Sequence, residues 1–203
     1  RNSGAQSVAY NSIVAGGANS CILHYRAGST ELRSGELCLI DAGCELDGYA
    51  SDITRTFPVN GKFTPRQKEV YNAVLRVMEG AKKLLRPGVM MSDYHTQVGE
   101  LMQPELVALG LLTSEEAKNP LAYKKYFMHG TSHFLGLDVH DVGDWNIPIE
   151  AGNVFTVEPG IYIPEENIGI RIENNVVVTE GEVLDMFADF PTTVEEIEAM
   201  MAH

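Results

Sequence analysis

Three histidines lie close together in the stretch FMHGTSHFLGLDVHDVG, which runs from Phe127 to Gly143. They are His129, His133 and His140, three of the six histidines in the chain. Imidazole binds metals and changes charge near neutral pH, so such a cluster predicts metal binding or proton transfer. A lone histidine more often has a structural role, with its ring hydrogen-bonded to a backbone carbonyl. Three histidines close together and beside glycines favour a catalytic or metal-binding role. The spacing leaves open which one is a ligand, a proton carrier or a substrate contact.

Four acidic residues stand where apolar runs are expected to end or turn. Asp41 closes the run GELCLIDAG and Asp52 follows on the returning strand SDITRTFPV. Glu158 in NVFTVEPGIYIP and Glu173 in IGIRIENNVVV repeat the arrangement. Two like charges ~4 Å apart repel by about 4 kcal/mol at an effective dielectric of ~20, so each pair requires a cation or a shared proton. Separate turn-capping acids are the alternative.

Short apolar runs bounded by Gly, Ser or Asn predict the strands that position these side chains. We expect strands at Cys21 to Tyr25, Gly35 to Gly43, Asn153 to Pro164 and Ile168 to Val178. A hairpin after the second run is expected to bring Asp41 and Asp52 opposite each other. The repeated unit of strand, acid, turn, strand and acid predicts two similar halves facing each other across a site.

Capping patterns predict three helices. Thr64 and Gln67 open the first, which Pro87 and Gly88 end. The second is expected from Ser92 to Leu109, interrupted or kinked at Pro104, and the third from Val194 to Met201 behind Thr193 and Glu196. In the histidine stretch, Gly130 and Thr131 argue against a long helix, and alternation from Leu135 to His140 predicts an extended segment.

Composition narrows the class of protein. A chain of 203 residues with 44% hydrophobic residues suits one globular domain. The formal charge of -13 disfavours nucleic acid and anionic membrane surfaces as partners. No apolar run approaches the ~20 residues of a membrane span. Three cysteines form neither an even set nor a CxxC pattern, so we expect a reducing, cytoplasmic setting.

Four carboxylates with one imidazole make an oxygen-rich ligand set suited to manganese, cobalt or zinc in a two-metal site. Together, LIDAG, SDITRTFP, HGTSHFLGLDVHDVG, VEPGIY and GIRIEN resemble the dinuclear metallopeptidases of the M24 family, which includes aminopeptidase P and prolidase. The resemblance runs from about Tyr10 to Glu180. Five motifs in this order are highly specific.

The resemblance implies an α+β domain with the pita-bread (creatinase/aminopeptidase) fold of two pseudo-symmetric halves. We expect residues 1–203 to form a single metallopeptidase catalytic domain. The chain begins with Arg1, and its first segment already matches the interior of the family's catalytic domain. We therefore expect the family's amino-terminal domain to be absent upstream.

By the same resemblance, the chain is expected to bind two divalent metal ions. Mn²⁺ is the first choice, with Co²⁺ or Zn²⁺ as alternatives. The matching ligands are Asp41, Asp52, His133, Glu158 and Glu173. In the family pattern Asp41 and Glu173 bridge the ions and Asp52 chelates one of them. His133 and Glu158 complete the other.

The implied activity is removal of the N-terminal residue from peptides with proline in second position, by a metal-bridged hydroxide attacking the scissile carbonyl. Glu158 is expected to take a proton from that water, and His140 to steady the oxyanion. His24 and His129 match histidines that line the pocket around the substrate proline.

Two further positions, Arg171 and Tyr162, match residues that contact the ligands or the substrate. The segment IPEEN between Glu158 and Glu173 is shorter than in some relatives, so the rim of the substrate site is expected to differ.

Four other functions are compatible with parts of these motifs. A prolidase would cleave only Xaa-Pro dipeptides, and the histidine motif does not separate it from an aminopeptidase. The same motif disfavours a methionine aminopeptidase. A non-catalytic peptide- or histone-binding module and the metal-independent creatinase-like hydrolases are disfavoured because all five ligand positions are filled. The expected partner is a peptide with penultimate proline, and a homo-oligomer stays open.

Overall fold

Short antiparallel strands and three α-helices make up the described part of the chain, residues 4–26 and 28–202 of a computed structural model. The strands are β1 (Ser7–Val8), β2 (Ile13–Gly16), β3 (Leu37–Ala42), β4 (Cys44–Leu46), β5 (Tyr49–Ala50), β6 (Ile53–Pro58), β7 (Val154–Val157), β8 (Gly160–Ile163), β9 (Ile168–Arg171), β10 (Asn174–Val177) and β11 (Leu184–Asp185). The helices are α1 (Pro65–Leu84), α2 (Met91–Ala108) and α3 (Val194–Met200). None of these helices has the length and apolar character needed to cross a membrane.

Two three-stranded sheets carry the predicted acids. One has the order β2-β3-β6 and the other β11-β10-β7, while β8 pairs with β9, and β1, β4 and β5 form a small sheet of their own. An isolated antiparallel bridge between Thr54 and Glu173 joins the two acid-bearing sheets. Asn175 adds a second link, because its side-chain amide bonds both the N–H and the C=O of Asp52. The two halves therefore meet at the acids themselves.

The first helix packs against β7, β8 and β9, and the second helix packs against the first. The Thr64 side chain accepts a bond from the backbone N–H of Gln67, whose side chain reciprocates, so the predicted capping box is confirmed. The second helix runs through Pro104 without interruption, since the tertiary contacts of buried Met102 and Leu106 hold it on both sides of the proline. The third helix begins after Thr193 as predicted.

The strand expected at Cys21 to Tyr25 is wrong. A 3-10 helix occupies Gly17–Cys21, and the strand lies upstream at β2. There Ile13 and Ala15 are buried alternately, whereas Ile22 in the apolar run is 53% exposed. The segment that forms a paired strand is therefore the one that buries one face, and the length of an apolar run does not identify it.

The β3–β6 hairpin has a different register from the one expected. Asp41 pairs with Thr54, and Asp52 lies just before β6 rather than opposite Asp41. The small β4–β5 hairpin separates the two strands, with Asp47 and Gly48 both at positive φ in its turn. The two acids are therefore diagonal to each other, with Asp41 inside the ladder and Asp52 just beyond its end.

The histidine stretch is not helical, as predicted, but its second part is not extended either. Residues 131 and 133 run beside β7, where Thr131 O accepts from Glu158 N at 2.8 Å and His133 O from Thr156 N at 3.1 Å. Beyond the bridge between Phe134 and Phe155 the chain forms bends, and Leu137 is 65% exposed. The extended segment expected from Leu135 to His140 is therefore wrong, because Leu135 is buried whereas Leu137 faces solvent.

Candidate metal centre

All five predicted ligand positions line one cleft between the two halves. Asp41 belongs to β3 and Asp52 precedes β6, while Glu158 follows β7 and Glu173 lies between β9 and β10. The cleft has two connecting lobes. The first has a volume of about 490 Å³ and contains the five ligand positions together with His24, His129, His140 and Arg171. The second, of about 540 Å³, shares His24, Asp41, Asp52 and His140 with it and adds Tyr10 and Arg26.

The donor atoms fit divalent metal ions. One ligand atom from each of Asp52, His133 and Glu173 lies within 4.8 Å of the others, so a single ion can reach all three. His133 Nε2 also lies 3.5 Å from Glu158 Oε1. Asp41 and Asp52 share the hydroxyl of Tyr10 as a hydrogen-bond donor, which fixes their separation. Carboxylates with a single imidazole are the set preferred by manganese, cobalt or zinc.

His133 is oriented by its own backbone neighbourhood. Its Nδ1 lies 2.9 Å from the carbonyl oxygen of Phe134, so a proton on Nδ1 leaves the Nε2 lone pair facing the carboxylates. Burial opposes a charge on this ring, but the contacts with Asp52 and Glu158 outweigh burial and raise the pKa of His133 above its ordinary value. The ring is held as a ligand would need to be held.

The acids are packed against each other with little compensating charge. Burial raises the pKa of Glu158 to about 7, and burial with the neighbouring acids raises the pKa of Glu173 well above its usual value. Burial also raises the pKa of Asp41, although Arg171 opposes this. Bound divalent cations would remove the repulsion.

Arg171 is the cation already present beside these acids, and three of its five N–H groups are hydrogen-bonded. Its guanidinium donates to Asp41 Oδ2 at 2.7 Å, to Thr54 Oγ1 at 3.1 Å and to the Tyr162 hydroxyl at 3.0 Å. Burial lowers the pKa of Arg171, but the neighbouring Tyr162 and Asp41 outweigh burial and raise it above its ordinary value. Arg171 therefore fixes the geometry of Asp41 and Tyr162.

His129 stands at the end of the chain of hydrogen bonds that starts at Arg171. Its Nε2 lies 2.8 Å from the Tyr162 hydroxyl and its Nδ1 lies 2.7 Å from Gly130 O. Burial, together with the Arg171 charge, lowers the pKa of His129 to about 4, and burial raises the pKa of Tyr162 to about 12. Both side chains are thus neutral at pH 7.

The remaining predicted histidines lie on the open side of the acids. The ring of His140 meets the ring of His133 edge-on, with centroids 4.3 Å apart. Burial and the neighbouring His133 lower the pKa of His140. His24 lines both lobes. The structure therefore brings every predicted site residue into the cleft or, for Tyr162, directly behind it.

Sequence reasoning missed Tyr10, Thr54 and Asn175, which hold the acids in place. Tyr10 lies in the polar segment before β2 and has no motif around it. Thr54 donates to Glu173 Oε2 at 2.5 Å, and Asn175 clamps the backbone of Asp52. A sequence signal existed for Thr54 and Asn175, because each lies two residues beyond a predicted ligand. Alternate residues of a strand share a face, so both side chains are expected on the same face as the ligand.

Comparison with known proteins places the whole arrangement in one family. The profile of metallopeptidase family M24 matches residues 1–180. Xaa-Pro aminopeptidase of Escherichia coli (strain K12) is 49% identical over 98% of this chain and 48% of its own length. Two solved E. coli aminopeptidase P structures, one zinc-substituted in complex with product and one with the inhibitor Pro-Leu, match with 47% identity and a TM-score of 0.93, covering 98% of this chain and 49% of theirs. The chain spans about half the length of these relatives.

Proposed function

The chain belongs to metallopeptidase family M24, and from this premise we propose that it carries the catalytic site of an Xaa-Pro aminopeptidase. Its fold is the family's pita-bread fold. The convergence of four carboxylates and His133 in one cleft is the observation that carries the proposal. The substrate is a peptide with proline in second position, from which the first residue is removed.

We assign the metal site to the residues that converge there. Two divalent ions, Mn²⁺ in preference to Co²⁺ or Zn²⁺, would be held by Asp41, Asp52, His133, Glu158 and Glu173. The ions supply an activated water at neutral pH and polarise the scissile carbonyl. Four acids in a buried cleft match this role because their mutual repulsion disfavours any state without cations.

The surrounding side chains have roles in proton transfer, in stabilising the oxyanion and in binding the substrate proline. Glu158, which follows β7 and lines the cleft, moves a proton from the attacking water towards the leaving amine. His140 donates a hydrogen bond to the developing oxyanion. His24 and His129 pack around the substrate proline, and Tyr162 holds His129 in its neutral form.

The hydrogen bonds of Arg171 bear on whether the substrate is a dipeptide or a longer peptide. A dipeptidase must hold the free carboxylate of an Xaa-Pro dipeptide close to the metal centre, and a guanidinium is suited to that task. Among the described residues of the first lobe, Arg171 is the one guanidinium or ammonium group, and three of its five N–H groups are bonded to Asp41, Thr54 and Tyr162. A dipeptide carboxylate would have to compete with these bonds or reach Arg26 in the second lobe. This favours an aminopeptidase acting on longer peptides over a prolidase.

The test combines metal content with a peptide panel. Elemental analysis is expected to give about two divalent ions per chain for the wild type. Asp52→Asn and Glu173→Gln are expected to lose metal, and wild-type occupancy in both would refute the site. With Mn²⁺ added, Xaa-Pro-Xaa peptides are expected to be cleaved faster than Xaa-Pro dipeptides or Met-Ala-Ser. Faster cleavage of the dipeptide would establish the prolidase instead.

A cytoplasmic location, the single-domain organisation of residues 1–203, and the absence of nucleic acid and membrane partners stay predictions. So does a homo-oligomer.

A further inference from the structure

Arg55 is a buried arginine on the opposite face of β6 from the cleft, with 3% of its surface exposed. All five of its N–H groups have an acceptor. These are Thr54 O at 3.0 Å, Glu173 O at 2.7 Å, Asn174 Oδ1 at 2.7 Å, Pro191 O at 2.9 Å and Thr192 Oγ1 at 3.0 Å. The ring of Phe190 lies 5.6 Å from the guanidinium carbon. No motif singled this residue out in the sequence.

Together with the bonds of Thr54, these bonds hold the backbone and the carboxylate of Glu173, and Thr54 and Arg55 both belong to β6. Glu173 lies between β9 and β10, outside either strand. Its backbone N–H donates to Thr54 O at 3.1 Å, its carboxylate accepts from Thr54 Oγ1 at 2.5 Å, and its carbonyl accepts from Arg55. Adjacent residues on a strand point to opposite faces, so Thr54 fixes the carboxylate on the cleft side and Arg55 fixes the main chain behind it.

We propose that Arg55 is a positioning residue of the metal centre, which sets metal affinity by fixing the backbone of Glu173. The same guanidinium also donates to Pro191 O and Thr192 Oγ1, but the bond to Glu173 O is the one that acts on the metal site. The inference rests on the proposed function, because Glu173 must be a metal ligand. Residues that orient metal ligands through hydrogen bonds change metal affinity by about 10-fold to 100-fold when they are replaced.

Arginine and lysine are not equivalent at this position. The planar guanidinium offers five donors in a fixed fork, whereas the lysine ammonium offers three from one point. Lysine therefore retains the charge but leaves acceptors unmatched on both the Glu173 side and the Phe190–Thr192 side. Arg55→Lys is expected to weaken metal binding about 10-fold to 100-fold.

Tyr71→Phe and Thr192→Val are the matched controls. The Tyr71 hydroxyl donates to Thr192 O at 2.8 Å, and Thr192 Oγ1 accepts from Arg55, so both variants loosen the Phe190–Thr192 segment without removing a bond to Glu173. Affinity for Mn²⁺ is measured by competition with a chelator, and the visible spectrum of the Co²⁺-loaded protein reports ligand geometry. Thermal unfolding of the metal-free variants reports stability separately.

The expected pattern is a loss of affinity and an altered Co²⁺ spectrum in Arg55→Lys, with wild-type affinity and spectrum in both controls even where they unfold at lower temperature. Wild-type affinity in Arg55→Lys, or an equal loss in the controls, would overturn the proposal. Should Arg55→Lys not fold, Arg55→Gln replaces it. Failure of both to fold assigns Arg55 a general structural role and also overturns the proposal.

Glu173→Gln separates this inference from the proposed function. If Glu173→Gln binds metal like the wild type, the ligand assignment itself is wrong. If Glu173→Gln loses metal while Arg55→Lys retains it, the metal site stands and the role of Arg55 fails.

Discussion

The metal-free protein is expected to lose stability as pH rises because of Glu158. Burial raises the pKa of this carboxyl from 4.5 to about 7, so between these values the folded state holds a proton that the unfolded state has released. Unfolding then releases protons, and the free energy of unfolding falls with rising pH. At about 1.4 kcal/mol per pH unit, this interval corresponds to a loss of roughly 3 kcal/mol.

His129 changes the free energy of unfolding with pH in the opposite direction. Burial lowers its pKa from 6.5 to about 4, so between these values the unfolded state binds the extra proton and stability rises with pH. Glu173, Asp41 and His133 have raised pKa values and act in the same direction as Glu158. The total pH profile therefore mixes opposing contributions, and only a difference between variants isolates Glu158.

The assay is urea unfolding of wild type and Glu158→Gln in a chelator, at about pH 4.5 and about pH 7.5. Glutamine resembles the protonated acid, so the variant is expected to gain roughly 3 kcal/mol relative to wild type between the two conditions. With Mn²⁺ in excess the order is expected to reverse at the higher pH, because the ionised wild type binds the ions more tightly. A difference that stays constant across pH in the chelator would refute the reasoning.

The other predictions concern single side chains. Tyr10→Phe removes the donor shared by two acids and is expected to weaken metal binding about 10-fold to 100-fold in a chelator competition, where unchanged affinity would contradict it. His140→Ala is expected to lower turnover by about 10² to 10³ with metal content intact, while His133→Ala loses metal; similar metal contents by elemental analysis would refute the distinction. Thr64→Ala is expected to cost about 1 kcal/mol in urea unfolding with no change in metal content, and an unchanged unfolding midpoint would contradict the cap assignment.

Local signals predicted much of the scaffold. The capping boxes at Thr64 and Thr193 are sequence patterns with direct structural meaning, and both helices begin there. The strand before Asp41 and those around Glu158 were also found, because apolar runs with glycine boundaries are local features. The convergence of the acids was inferred from repetition and from the family resemblance.

Contacts between distant segments could not be read in the same way. The bonds from Tyr10 to Asp41 and from Arg55 to Glu173 join residues far apart in the chain, and no local pattern points from either residue to its partner. The register of Asp52 depends on the β4–β5 hairpin, which adds length between the strands. In each case the deciding interaction is tertiary, whereas propensity and periodicity report only on neighbours.

The bridge between Thr54 and Glu173 has a consequence for biosynthesis. About 120 residues separate Asp52 from Glu173, so at about 5–20 residues per second a ribosome needs roughly 6 to 24 s between the two. During that interval Asp41 and Asp52 lack the partners that complete the cleft. The complete set of proposed metal ligands can therefore come together only after Glu173 has been synthesised.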